Sequence, residues 1–126
     1  MEIHESAEDY LETILILKHR LGEVRSIDIV NEMHFSKPSV SVAMKKLREN
    51  GYIKMNKDGY IHLTDLGHKV ASNVYERHTL LTKFFTMLGV SEEVASADAC
   101  KIEHDLSEET FIKIKEHTLA RISELS

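Results

Sequence analysis

The sequence predicts a mainly α-helical protein whose N-terminal part is a winged helix-turn-helix with a β-hairpin wing. Three observations carry this. Three successive segments before residue 51 place apolar residues at helical spacing. The stretch "YIKMNKDGYIHL" then alternates lysines with aliphatic residues around Asp58-Gly59, the pattern of a hairpin. The remainder returns to helical periodicity and contains no proline after Pro38.

Taken in order, "ESAEDYLETILILKHRL" reads as a first helix with Ser6 as N-cap, an apolar stripe of Ala7, Leu11, Ile14, Leu15 and Leu17, and an end near Gly22. "SIDIVNEMHF" reads as a short second helix capped by Ser26, with Ile27, Ile29, Val30 and Met33 apolar. In "SKPSVSVAMKKLRENGYI", Ser36 precedes a proline suited to a first helical turn, Val40, Met44 and Leu47 face inward, and Asn50-Gly51 stops the helix. Asp58-Gly59 predicts a two-residue hairpin turn. A three-stranded wing would need its first strand from "EVRS", residues 23–26. "LTDLGHKVASNVYERHTLLTKFFTML" predicts one long helix capped by Thr64 and closed by Gly89, nearly 40 Å at about 1.5 Å per residue. Two more helices follow, over "SEEVASADACKIEHDL" and "SEETFIKIKEHTLARISEL". The expected division is a DNA-binding domain over 1–66 and a helical domain over 67–126, the second growing out of the first without a linker.

Composition narrows the function. With 126 residues and 42% hydrophobic content the chain can bury a core. The N-terminus "MEIHESAEDY" is acidic and polar, no apolar run is long enough for a bilayer, and one cysteine excludes an internal disulfide. The expectation is a cytoplasmic protein without a membrane partner. Net charge is −5 but unevenly spread. Residues 36–57 hold six bases against Glu49 alone, net +5, while residues 91–126 hold nine acids and four bases. A basic patch on an acidic body suits a local nucleic-acid footprint, although clustered lysines are as often a plain solvated face.

The segment "SADACKIEHDLS" carries a thiol, a carboxylate and an imidazole at Cys100, Glu103 and His104. On a continuous helix the three fall within one sector of roughly 100°, beside a separate apolar face of Ala95, Ala99, Ile102 and Leu106. Such a donor set suits a divalent transition ion but fills only part of its coordination shell. Asp9 and Glu12, three residues apart on the first helix, and His78, beside the Val70, Val74, Leu81, Leu88 stripe, are candidates for the rest. Each alone has a plainer reading: solvated acids, a hydrogen-bonded histidine, a packed cysteine.

The strings "AEDYLETI", "ERHTLL" and "ACKIEHDLS", in this order around a winged helix, resemble the diphtheria toxin repressor family, and more closely its shorter branch of manganese transport regulators. The resemblance covers essentially the whole chain. It implies a homodimeric, metal-activated repressor with an N-terminal winged helix and a helical metal-binding and dimerisation domain. It further implies a primary site of Asp9, Cys100, Glu103 and His104, with Glu12 and His78 serving a second, adjacent ion. Cys100 stands where iron-type members have Cys and manganese regulators Glu, so the sequence is a hybrid. Thr82 and Ser96 stand where iron-type members place ligands of an ancillary site, which is therefore expected to be absent or altered. Oxygen donors favour Mn²⁺ and a thiolate favours softer ions. Fe²⁺ is expected, with Mn²⁺ close behind, and Zn²⁺, Co²⁺ or Ni²⁺ as ions that can bind in vitro.

The expected DNA contacts are Ser36, Lys37, Ser39 and Ser41 at the start of the third helix, Lys45, Lys46 and Arg48 on phosphates, and Lys57 at the hairpin tip. The partner would be a double-stranded operator with palindromic half-sites, and the regulated genes those of metal uptake. Leu80, Leu81, Phe84, Phe85, Met87 and Leu88 are expected to form the dimer surface. Within the DNA-binding class the alternative is a winged-helix regulator that ignores metal, with Cys100 and His104 structural. An enzyme acting on a small-molecule substrate is not expected: HExxH, a glycine-rich phosphate loop and a Gly-x-Ser-x-Gly elbow are all missing.

Overall fold

The computed structural model describes residues 5–125; residues 1–4 of the polar amino terminus and Ser126 lie outside it. Six helices and one hairpin follow in the order α1 (Glu5–Leu21), α2 (Ser26–Met33), α3 (Lys37–Glu49), β1 (Ile53–Met55), β2 (Ile61–Leu63), α4 (Asp65–Met87), α5 (Glu92–Ile102) and α6 (Glu108–Leu125). They divide into two compact units, the first running to Asn73 and the second starting at Val74.

The first unit is a winged helix-turn-helix around an aliphatic core. Leu11, Ile14, Leu15 and Leu17 of α1 meet Ile29 of α2, Val40, Met44 and Leu47 of α3, and Tyr52, Ile53 and Ile61 of the wing. These are the inward positions that the helical and alternating patterns single out. Ser36 caps α3 by accepting a hydrogen bond from the Ser39 amide at 3.2 Å, with Pro38 in the first turn. Thr64 likewise caps α4, its Oγ1 accepting from the Gly67 amide at 3.1 Å.

Three local details differ from expectation. Ser6 lies inside α1, which already begins at Glu5, so it is no cap. Ser26 is the first residue of α2, and the cap is Arg25. Its amide donates to the Asp28 carboxylate at 2.9 Å, and its carbonyl accepts from the Asp28 amide at 3.0 Å. The wing is the expected two-stranded hairpin, in antiparallel register Ile53–Leu63 and Met55–Ile61. What remains of a third strand is one bond, from the Ile61 amide to the Val24 carbonyl at 2.7 Å. The turn is longer than two residues. The Asn56 amide donates to Tyr60 O, the Gly59 amide to Asn56 O, and Gly59 sits at φ +84°. That is a three-residue loop closed by a left-handed glycine. Asn56 stabilises it further by accepting from the amides of Asp58 and Tyr60 through Oδ1.

The second unit packs the C-terminal part of α4 with α5 and α6. Val74, Leu81, Ala95, Ala99 and Phe111 are buried. Leu81 is 0% exposed and belongs to this core rather than to a dimer surface; Leu88, past the end of α4, is 67% exposed. The Phe84 ring meets the His117 ring edge-on, and Lys115 pairs with Glu76 at 2.7 Å. Helix α5 stops at Ile102, one residue before Glu103, because Ser107 starts α6 soon after by accepting from the Thr110 amide. The helix expected through Leu106 is thus shorter. Ile102 and Leu106 are only half-buried beside the buried Ala95 and Ala99.

Candidate metal centre and DNA-binding surface

In the second unit the short turn after α5 presents two of the candidate ligands. Glu103 keeps helical backbone angles at the end of α5, and its side chain is 0% exposed. One carboxylate oxygen lies 3.0 Å from His78 Nδ1, on α4. The other, Oε1, lies 3.3 Å from His104 Nε2 and accepts no well-formed hydrogen bond among the described residues. The His104 side chain is 3% exposed. On its far side His78 Nε2 meets the Ser96 hydroxyl at 3.3 Å. Cys100 sits one helical turn before Glu103, at an exposed position of α5. A buried carboxylate with an unsatisfied oxygen, flanked by two imidazoles, is costly unless a cation or proton compensates it. The donor set of carboxylate, imidazole and nearby thiol fits a divalent transition ion.

Thr82, one turn after His78, donates its hydroxyl to the His78 carbonyl at 2.7 Å. Ser96 and Thr82 thus hold His78 by side chain and backbone. In the first unit, Asp9 and Glu12 lie one turn apart on α1, Asp9 half-buried and Glu12 buried. The order of residues left one neighbour of the centre unseen. Arg77, next to His78, donates from Nη1 to the carbonyls of Glu103 (3.0 Å) and Leu106 (2.7 Å), and from Nη2 to Glu108 (3.0 Å). Its place in "ERHTLL" was the available signal; its partners 26 to 31 residues away were not readable.

The DNA candidates lie on the first unit. Ser36, Lys37, Ser39, Ser41, Lys45, Lys46, Arg48 and Lys57 are all exposed, as is Lys54 on the wing. Ser36 Oγ is occupied in capping and also bonds Ser39 Oγ at 2.9 Å. Arg48 leans on the wing, with Nη1 3.8 Å from Met55 Sδ. Val42 is an unanticipated member of this surface, an aliphatic side chain 55% exposed on α3. Among the described residues no helix is long and apolar enough to cross a membrane.

Comparison with known families decides the assignment. Residues 2–63 match the N-terminal DNA-binding domain of iron-dependent repressors, and residues 64–119 match their metal-binding and dimerisation domain. The chain belongs to the iron-dependent repressor family. It is 39% identical over 107 residues to the transcriptional regulator MntR of Escherichia coli, covering 85% of this chain and 69% of that protein. It is 37% identical over 102 residues to MntR of Geobacillus kaustophilus, covering 81% and 72%. A manganese-dependent transcriptional repressor solved with manganese superposes with a TM-score of 0.81 at 26% identity, covering 89% of this chain and 52% of that one. The chain therefore spans about half the length of the solved repressors it matches. Family membership agrees with the resemblance carried by the sequence motifs.

Proposed function

We propose that this iron-dependent repressor family member is a cytoplasmic, homodimeric, metal-activated repressor that binds a palindromic operator and controls metal-uptake genes. The observation that carries the metal reading is the fully buried Glu103 carboxylate set between His78 and His104. It lies within the segment matching the family's metal-binding domain. In this reading Asp9, Cys100, Glu103 and His104 hold the primary ion, and Glu12 and His78 serve the second. The ion supplies positive charge to a group of carboxylates that otherwise repel one another. Fe²⁺ and Mn²⁺ are the physiological candidates. The solved relatives named for manganese favour Mn²⁺, and the Cys100 thiolate favours Fe²⁺.

Because Asp9 and Glu12 belong to the DNA-binding domain and the other ligands to its neighbour in sequence, ion binding restricts the DNA-binding domain. It thereby selects the spacing at which two α3 helices of a dimer enter successive major grooves. Coupling of about 1–3 kcal/mol changes operator affinity roughly 5- to 150-fold. On α3, Lys45 and Lys46 contact phosphates, Ser41 reaches base edges, and Val42 suits a thymine methyl. Met87, Leu88, Ile122 and Leu125, at the ends of α4 and α6, offer the apolar face for the partner copy.

The test is operator binding by metal-free protein with Mn²⁺, anaerobic Fe²⁺ or Zn²⁺ added, beside Cys100→Ala. Metal-dependent binding is expected, with the variant losing its Fe²⁺ response. Equal DNA affinity with and without metal would refute the metal-activated reading.

A further inference from the structure

Arg77 holds the main chain of the residue whose side chain its neighbour holds. From α4, His78 meets the Glu103 carboxylate, while Arg77 donates to the Glu103 and Leu106 carbonyls. Those carbonyls bracket the turn that carries Glu103 and His104, beyond the last residue of α5. Carbonyls at a helix end lack intrahelical donors, and a cation there is favoured by the helix dipole. The guanidinium is itself fixed from two further directions. It pairs with Glu108 in the first turn of α6 and lies 4.9 Å from the centre of the Phe111 ring. Its side chain is 15% exposed. A planar fork can satisfy two diverging carbonyls and a carboxylate together, whereas a lysine ammonium brings one point charge and fewer fixed directions.

We infer that Arg77 is a positioning residue of the metal centre, setting ion affinity by immobilising the 103–106 turn without touching the ion. This rests on the metal-centre reading above. The two ligands it places are adjacent in sequence and sit in a turn rather than in a regular helix. Small backbone rotations there swing the carboxylate and the imidazole in different directions. Outer partners of metal ligands typically control affinity by about 10- to 100-fold.

The test compares the parent protein with Arg77→Lys, which keeps the charge and loses the fork, and with Glu108→Gln, which loosens only the outer anchor. Three readouts are taken: Mn²⁺ affinity by calorimetry, the electronic spectrum of the Co²⁺-loaded protein, and amide hydrogen exchange in the metal-free state. For Arg77→Lys the expected result is a Mn²⁺ affinity about 10- to 100-fold weaker, a shifted Co²⁺ spectrum, and faster exchange confined to residues 103–106. Glu108→Gln should stay within about threefold of the parent, because its carboxylate is largely exposed. Parent-like affinity and spectrum in Arg77→Lys would overturn the inference. So would exchange that rises uniformly over 74–125 with an unchanged Co²⁺ spectrum, which marks a scaffold role. A parent protein that binds neither Mn²⁺ nor Co²⁺ would instead overturn the metal-centre reading, and this inference with it.

Discussion

Replacing Gly67 by alanine should strongly destabilise the DNA-binding unit, against the usual direction of that change in a helix. Gly67 lies in the first turn of α4, where glycine-to-alanine normally stabilises by about 1 kcal/mol. Here a Cβ would stand 1.9 Å from the Tyr52 carbonyl oxygen and 2.9 Å from its carbon. A relaxed carbon–oxygen contact needs about 3.3 Å, so the strand entry and α4 must separate by more than an ångström. That carbonyl accepts from the Thr64 amide at 3.0 Å and from its hydroxyl at 3.1 Å. The same hydroxyl reaches Gly51 O and accepts from the Gly67 amide. Losing two of these bonds costs about 2 kcal/mol, and the overpacking adds about 1–3 kcal/mol. After the helix gain is subtracted, a net loss of about 3 kcal/mol remains. With m about 1–3 kcal/mol/M, the urea midpoint followed by helical circular dichroism should fall by about 1–3 M. A midpoint equal to or above the parent's would show that the close approach of α4 to the wing is not a fixed feature, and the reasoning would fail.

His34 ends α2 in the left-handed region at φ 59°, so His34→Gly should stabilise by about 0.5–1 kcal/mol, seen as a higher melting temperature. Lys46→Ala should weaken binding to all DNA sequences alike and flatten the log–log salt dependence by about one unit, measured by fluorescence anisotropy. Glu103→Gln keeps the shape of the buried side chain and removes its charge. Calorimetry should find Mn²⁺ binding lost while the far-ultraviolet spectrum is retained. Burial raises the Tyr10 hydroxyl above its ordinary value of 10.0. Its contribution to stability is then complete below pH 10 and is lost as pH rises through the higher folded value, because the unfolded chain ionises first. Unfolding midpoints should therefore decline above pH 10, and Tyr10→Phe should show a shallower decline.

The elements of this fold were legible because their signals are local. Aliphatic spacing located α1 to α3, and Ser36, Thr64, Ser91 and Ser107 each cap the helix that follows them. The errors lie where a side chain's own hydrogen bonds, near or distant, override a local rule. Asp58-Gly59 matches a tight two-residue turn, yet Asn56 folds a longer loop around its own side chain. A regular helix through Leu106 was consistent with the residues, but the cap at Ser107 and the pull of Arg77 on two carbonyls end it at Ile102. The site shows the same division. The donors Cys100, Glu103 and His104 announce themselves by chemistry and nearness in sequence. The hydrogen bonds of Ser96 and Arg77 join residues 18 or more positions apart and required the fold.

The shortness of the wing has a consequence for the proposed dimer on DNA. Strands of three residues expose very few backbone groups along their open edge, and Lys54 projects from the middle of β1. Adding a strand from another molecule would gain little hydrogen bonding and would crowd like charges, so hairpins brought together have no incentive to zip into a shared sheet. The single bond from Ile61 to Val24 occupies the other edge without extending it. Poor strand-forming capacity thus keeps the wings available to nucleic acid instead of to each other.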